Sequence, residues 1–271
     1  MNILTRNALK HYAAPGLAAR IQAALASFGP EDTVLSVAQL AMLDQFHTRG
    51  IAATAEIAEA AALDADMVVL DLGCGIGGPA RYLATAHGVH VVGVDLSPSF
   101  VDTARYLSQR CGLADRTVFH VGDAVDLPID GESIDRVFLL HVAMNINDRA
   151  ALYRSIHRVL KPGGKLVTYD VVEKAGELHF PVPWSTAPQG SYLLTEAVTR
   201  DALVDAGFRV EAWRDDTQTA AQWFAAMQAG GPPPGPNLGL VLGPDFPGMT
   251  GNLARNLREG RAGILLAVAS R

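Results

Sequence analysis

Apolar and polar positions change their period near residue 67. Before that point apolar residues recur three and four apart, the spacing of helices with one buried face. Residues 17–25 predict a short helix, stopped by the breaker cluster Phe28-Gly29-Pro30. Residues 33–46 predict a second helix, and 54–63 a third with Thr54 as its N-cap. Residues 1–66 therefore read as an N-terminal helical cap without strands. From Met67 the apolar positions gather into short runs, at 67–72, 89–94, 116–121, 136–140 and 165–172. Amphipathic stretches at 79–87, 97–111 and 149–160 separate them, the second opened by the capping pair Ser97-Pro98. Strands alternating with helices at this pace form a parallel sheet covered on both faces. The expected fold class is α/β, doubly wound and Rossmann-like, with residues 67–271 as the main domain.

Past residue 172 the pattern loosens. Residues 173–192 predict a long loop holding Pro181, Pro183, Pro188 and Trp184, an acceptor loop if the protein is an enzyme. A helix from 195 or 199 to 206, a strand at 208–213 and a helix at 217–229 follow. Residues 230–250 open with Gly230-Gly231-Pro232-Pro233-Pro234-Gly235-Pro236 and read as irregular. A helix at 252–258 and an apolar strand at 262–269 close the chain.

The first strand runs straight into Asp71-Leu72-Gly73-Cys74-Gly75-Ile76-Gly77-Gly78. Glycines suit a turn that needs left-handed backbone and a close approach to a ligand. Gly73-x-Gly75-x-x-Gly78 satisfies the dinucleotide fingerprint, so an NAD(P)-dependent oxidoreductase fits. Gly73-x-Gly75-x-Gly77 behind Asp71 also fits and resembles motif I of the class I S-adenosylmethionine methyltransferases, whose ligand carries positive charge. A carboxylate at the strand end repels a pyrophosphate and attracts an ammonium or sulfonium, so Asp71 tilts the choice toward the cationic ligand.

Composition narrows the field. The chain has 271 residues, 49% hydrophobic and 18% charged, enough for one large α/β domain. Net charge is −6, which gives no electrostatic reason to expect nucleic acid or an anionic membrane as partner. Cys74 and Cys111 are the only cysteines and lack metal-ligand spacing; no metal is expected, and a reducing cytoplasm suits them. The first residues lack the apolar core of a signal peptide, and no run is long enough to span a bilayer. The alanine-rich helices leave room for a homodimer.

The glycine loop, with Asp95 closing the second strand, Gly122-Asp123-Ala124 after the third and Lys161-Pro162-Gly163-Gly164 before the fifth, resembles the class I S-adenosylmethionine (SAM) methyltransferases. In detail Leu43-Asp44-Gln45-Phe46-His47, His141 to Ile146 and Pro181 to Trp184 are similar to small-molecule enzymes of the sarcosine/dimethylglycine and ubiquinone/sterol type. The resemblance implies a seven-stranded sheet with an antiparallel last strand, SAM as cofactor and methyl transfer to a small molecule at N, O or C. It also implies cofactor contacts from Asp71, Gly73, Gly75, Gly77, Asp95, Leu96, Asp123, Ala124 and Gln45. His141 and His47 are candidate bases, and Asn145, Trp184 and Tyr192 candidate acceptor contacts. Amino-methylating nucleic-acid enzymes carry an Asp/Asn-Pro-Pro-aromatic run after the fourth strand, whereas this chain has His141-Val142-Ala143-Met144. Neither cysteine follows a proline, which removes the nucleophile of cytosine C5 chemistry. A non-catalytic SAM-binding module shares the same core.

Overall fold

The structure is a computed structural model that describes residues 12, 15–231 and 235–271. In chain order its helices and strands are α1 (Leu17–Leu25), α2 (Val37–Asp44), α3 (Gly50–Ala61), β1 (Val68–Leu72), α4 (Gly78–His87), β2 (His90–Asp95), α5 (Pro98–Arg110) and β3 (Thr117–Val121). There follow β4 (Ile134–Leu140), α6 (Arg149–Val159), β5 (Leu160–Glu173), α7 (Glu196–Asp205), β6 (Arg209–Asp215), α8 (Thr217–Gly230), α9 (Gly239–Leu242), α10 (Phe246–Arg258) and β7 (Ala262–Ser270).

The strands form one sheet in the order β3-β2-β1-β4-β5-β7-β6. The first five pair parallel, and β7 inserts antiparallel between β5 and β6. Chain direction across the sheet reverses between β1 and β4, which opens a crevice beyond their carboxyl ends. Alternation along β1 sends Val69 to one face and Leu70 and Leu72 to the other. The first face is covered by α3, α4, α8 and α10; the second packs on α6 and α7.

A third apolar cluster joins α1 and α2 to the body. Leu17, Ile21, Leu25, Leu40 and Leu43 bury against Ile76, Phe100 and Leu107. Each such side chain contributes about 1.5–3 kcal/mol when fully buried, so this part of the cap is firmly seated. The third predicted cap helix belongs elsewhere: Ala53, Ile57, Ala58 and Ala61 of α3 bury in the sheet's own core.

Three local expectations are corrected. The second helix begins at Val37 rather than residue 33, because Ser36 caps it and Gln39 returns the bond to the Ser36 N–H (2.8 Å). Thr54 is no N-cap: α3 starts at Gly50, and the buried Thr54 hydroxyl donates to Gln45 Oε1 (2.7 Å). Residues 230–250 are not irregular throughout, since α9 and the first turn of α10 lie within them. Phe246, Met249, Leu253 and Leu257 keep helical spacing, and Pro247 sits in the first turn, where its missing N–H loses no bond. Residues 232–234 of that segment lie outside the described residues. Among the described residues no helix is long and apolar enough to cross a membrane.

Candidate active site

The crevice at the β1/β4 reversal is a cavity of about 460 Å³, roofed by the segment after α2 and by α8, α9 and α10. Such a volume suits a small molecule. One end is built by the loops after β1, β2 and β3. Gly73 and Gly75 line it with φ of +73° and +53°, backbone that glycine adopts without strain. A Cβ at Gly73 would lie 2.4 Å from Val142 Cγ2, so the loop is also pressed against the turn after β4.

Asp95 ends β2 at the same place. Its Oδ2 accepts the Gly75 N–H (2.9 Å) and its Oδ1 the Ser97 N–H (2.8 Å), while the carboxylate lines the cavity beside Leu96. Burial pushes its pKa up, and the backbone donors act against that. Asp123, Ala124 and Val125 close this end; the Asp123 carboxylate also accepts the Val125 N–H (3.2 Å), which folds the turn after β3. Phe46 and Phe100 meet edge to face (5.9 Å) and form its wall. Tyr12 packs on Phe100 and donates to Asn145 Oδ1 (3.3 Å), tying the cap across the opening.

The floor of the other end is lined by His141, His47 and Thr48, with Tyr169 buried beneath them. His141 follows β4 with φ +54°, a conformation unusual outside glycine and held here by its N–H bond to the Tyr169 carbonyl (2.8 Å). Its ring stacks on Tyr169 at 5.4 Å and 13°. Thr48 donates to the Tyr169 hydroxyl (3.1 Å) and lies 3.5 Å from His141 Nε2. The His47 ring stands edge-on, 6.2 Å from His141 and 6.1 Å from Tyr169. His47 Nε2 faces the Gly50 carbonyl (3.1 Å), an acceptor only, so that nitrogen carries the proton and Nδ1 is the basic atom. Burial lowers both histidines, His47 to about 4 and His141 well below its ordinary value, so each is neutral at neutral pH. Asp170 supports the turn above them: its carboxylate accepts the N–H groups of Ala143 (2.6 Å) and Val171 (2.8 Å).

Gly73, Gly75, Asp95, Leu96, Asp123, Ala124, His47, His141, Asn145 and Trp184 all line the cavity. Four expected residues do not. Asp71 is buried beneath the loop on the α4 side, where the Ala80 N–H bonds it, because its position in the β1 alternation turns it from the crevice. Gly77 is the N-cap of α4 and faces Arg81 and Phe119. Gln45 turns inward to Thr54. Tyr192 contributes its backbone, bonding the Met144 and Arg149 groups.

Arg81 of α4 has a structural place, fully buried and paired with Asp44 (2.8 Å). The sequence reading missed the apolar walls from Trp223, Phe224, Leu242, Phe246 and Leu253. Helical spacing from Phe246 was the available signal; that these helices fold over the crevice is a long-range fact that no local pattern carries.

Residues 70–168 match the family model of a methyltransferase domain. Methyltransferase GfsG of Streptomyces halstedii is 35% identical over 130 residues, 48% of this chain and 47% of GfsG. The chain spans about half, or less, of the length of the curated relatives it matches. The structure of the [4+2]-cyclase SpnF is 26% identical with a TM-score of 0.62, covering 81% of this chain and 80% of SpnF. A geranyl diphosphate C-methyltransferase from Streptomyces coelicolor shares the fold from end to end, at 19% identity and a TM-score of 0.72, with 100% of this chain and 98% of that one covered.

Proposed function

We propose that this chain, through the methyltransferase domain matched at residues 70–168, transfers a methyl group from SAM to a small-molecule acceptor. The observation that carries the reading is the charge of the cavity: Asp95, Asp123 and Asp148 line it, and among its described residues there is no lysine or arginine. A ligand with an ammonium and a sulfonium is favoured there, and a pyrophosphate is not. That charge favours SAM over NAD(P).

The residues present fit SAM. Asp95 would accept the ribose hydroxyls, Asp123 the adenine amino group, and the glycine loop would pass close to the methionine part, with Leu96 and Ala124 as apolar contacts. When bound, SAM supplies an electrophilic methyl group for in-line displacement. The protein's share is to hold the acceptor in line and keep water out, which the roof of α8, α9 and α10 serves. Asn145 and Trp184 orient the acceptor, and the neutral imidazole of His141 takes its proton where it carries one; His47 is the reserve base. The free thiols of Cys74 and Cys111 suit a reducing compartment such as the cytoplasm.

Names of relatives assign the methyl to a sterol carbon, a phosphoethanolamine nitrogen or an erythromycin oxygen, so the acceptor atom does not carry over. Titration calorimetry with SAM, NAD and NADP tests the cofactor; NAD(P) binding without SAM binding overturns the proposal. Incubation with a metabolite pool, followed by mass spectrometry, should show a compound heavier by one CH₂ and release of S-adenosylhomocysteine. The likeness to SpnF favours a second reading, a ring closure in the same cavity. That reaction gives a product of unchanged mass.

A further inference from the structure

The acceptor end of the cavity says more about charge than the relatives' names do. Its walls are Met144, Val171, Trp184, Trp223, Phe224 and Leu253, with Leu242 and Phe246 at the roof. Trp184 is 2% exposed and its indole N–H is already committed to Ser191 Oγ (2.9 Å), so it presents carbon to the cavity. The polar floor is Thr48, His141 and His47 over the buried Tyr169, none of which carries charge at neutral pH. Among the described residues no lysine or arginine lines this end: Arg149 donates to the Tyr192 carbonyl, and Arg49 pairs with Glu56 and bonds the buried Tyr169 hydroxyl from behind the floor. The N-terminus of α6, the kind of helix end that attracts anions, is capped instead by Asp148, whose Oδ1 accepts the Ala151 N–H (2.8 Å). Burying an unpaired charge against such walls is costly. The Asp148 carboxylate is exposed to solvent and already holds the Ala151 N–H, so an ammonium inside the pocket meets the same apolar walls and the like charge of the methyl donor besides.

Resting on the methyltransferase reading, we propose that the acceptor is an uncharged, predominantly apolar molecule whose one polar group, a hydroxyl, reaches His141 and Thr48, and that phosphorylated and ammonium-bearing molecules are excluded. In that reaction the hydroxyl oxygen forms the new O–C bond as the methyl–sulfur bond breaks. The electron pair of the broken bond leaves with sulfur, and the hydroxyl proton goes to the neutral imidazole of His141.

Three probes with one ten-carbon tail separate the charge classes: geraniol, geranylamine and geranyl diphosphate. Each is titrated into protein saturated with S-adenosylhomocysteine, with binding read by tryptophan fluorescence, since Trp184 and Trp223 line the pocket. Geraniol should bind at least about tenfold more tightly than either charged probe. Equal or tighter binding of geranylamine or geranyl diphosphate overturns the proposal, and so does failure of geraniol to bind. Leu242→Lys and, as a second variant on the same roof, Thr250→Lys should narrow the gap between geraniol and geranyl diphosphate by about tenfold. An unchanged gap in both folded variants overturns the site assignment. S-adenosylhomocysteine binding is measured first by calorimetry: its absence sinks the methyltransferase reading, whereas its presence with the wrong probe order sinks only the acceptor class.

Discussion

Arg81 Nη2 lies 2.8 Å from Asp44 Oδ2, with both side chains fully buried. The same nitrogen donates to the Ile76 carbonyl (2.8 Å), so one guanidinium ties the end of α2 to the glycine loop and the start of α4. Burial pushes the Asp44 carboxyl up, to about 6, and the arginine opposes it, leaving the pair ionised at neutral pH. Asp44→Ala strands a buried guanidinium and should cost about 3–5 kcal/mol in urea unfolding. Asp44→Leu combined with Arg81→Met should cost clearly less than the two single changes added. A strictly additive double variant would show that the pair is not coupled.

Asp95 reaches the cavity while its oxygens also hold the Gly75 and Ser97 N–H groups. Asp95→Ala should weaken SAM by about 2 kcal/mol, roughly thirtyfold, in calorimetry. Asp95→Asn, which keeps an acceptor, should fall between. Wild-type affinity in the alanine variant would place the ribose elsewhere.

The neutral state of His141 predicts a pH profile. An exposed histidine loses its basic form as pH falls through about 6.5, whereas burial moves that loss lower for His141 and to about 4 for His47. Turnover should therefore hold level from about pH 8 to about pH 6 before falling. His141→Ala should lower turnover more than SAM affinity. Equal losses in both would mark His141 as structural.

Asp71 yields a stability test with a definite sign. Burial raises its pKa from 3.8 to about 7, so the folded state holds the proton that the unfolded state releases between those values. Its contribution is present at low pH and is lost as pH rises through that window. Asp71→Asn, which keeps an acceptor for the Ala80 N–H, should be more stable than wild type by on the order of 2 kcal/mol at about pH 8. The gap should shrink by about pH 5. Equal gaps at both pH values would mean that Asp71 is solvated.

Asp71 also shows how far local reading extends. Its place before the glycines marks the turn, yet its side chain is buried and does not line the cavity, because the period of two along β1 turns it beneath the loop. The Asp44 to His47 run was legible as unusual, but its four side chains part company: Asp44 goes to Arg81, Gln45 to Thr54, and Phe46 and His47 to the cavity. Helix phase and the packing of α2 on α4 decide that division, and neither is written in four residues.

By itself the sequence determined the strand–helix alternation, the glycine turn after β1 and the carboxylates Asp95 and Asp123 at the strand ends. These depend on side-chain period, backbone freedom and chain order, all local properties. Tertiary structure alone decided the buried Asp44–Arg81 pair, the stacking of His141 on Tyr169 and the apolar roof from α8, α9 and α10. Each joins residues far apart in the chain, and burial then sets their charge: histidines that would titrate near neutrality in water stay neutral here because desolvation disfavours the protonated ring.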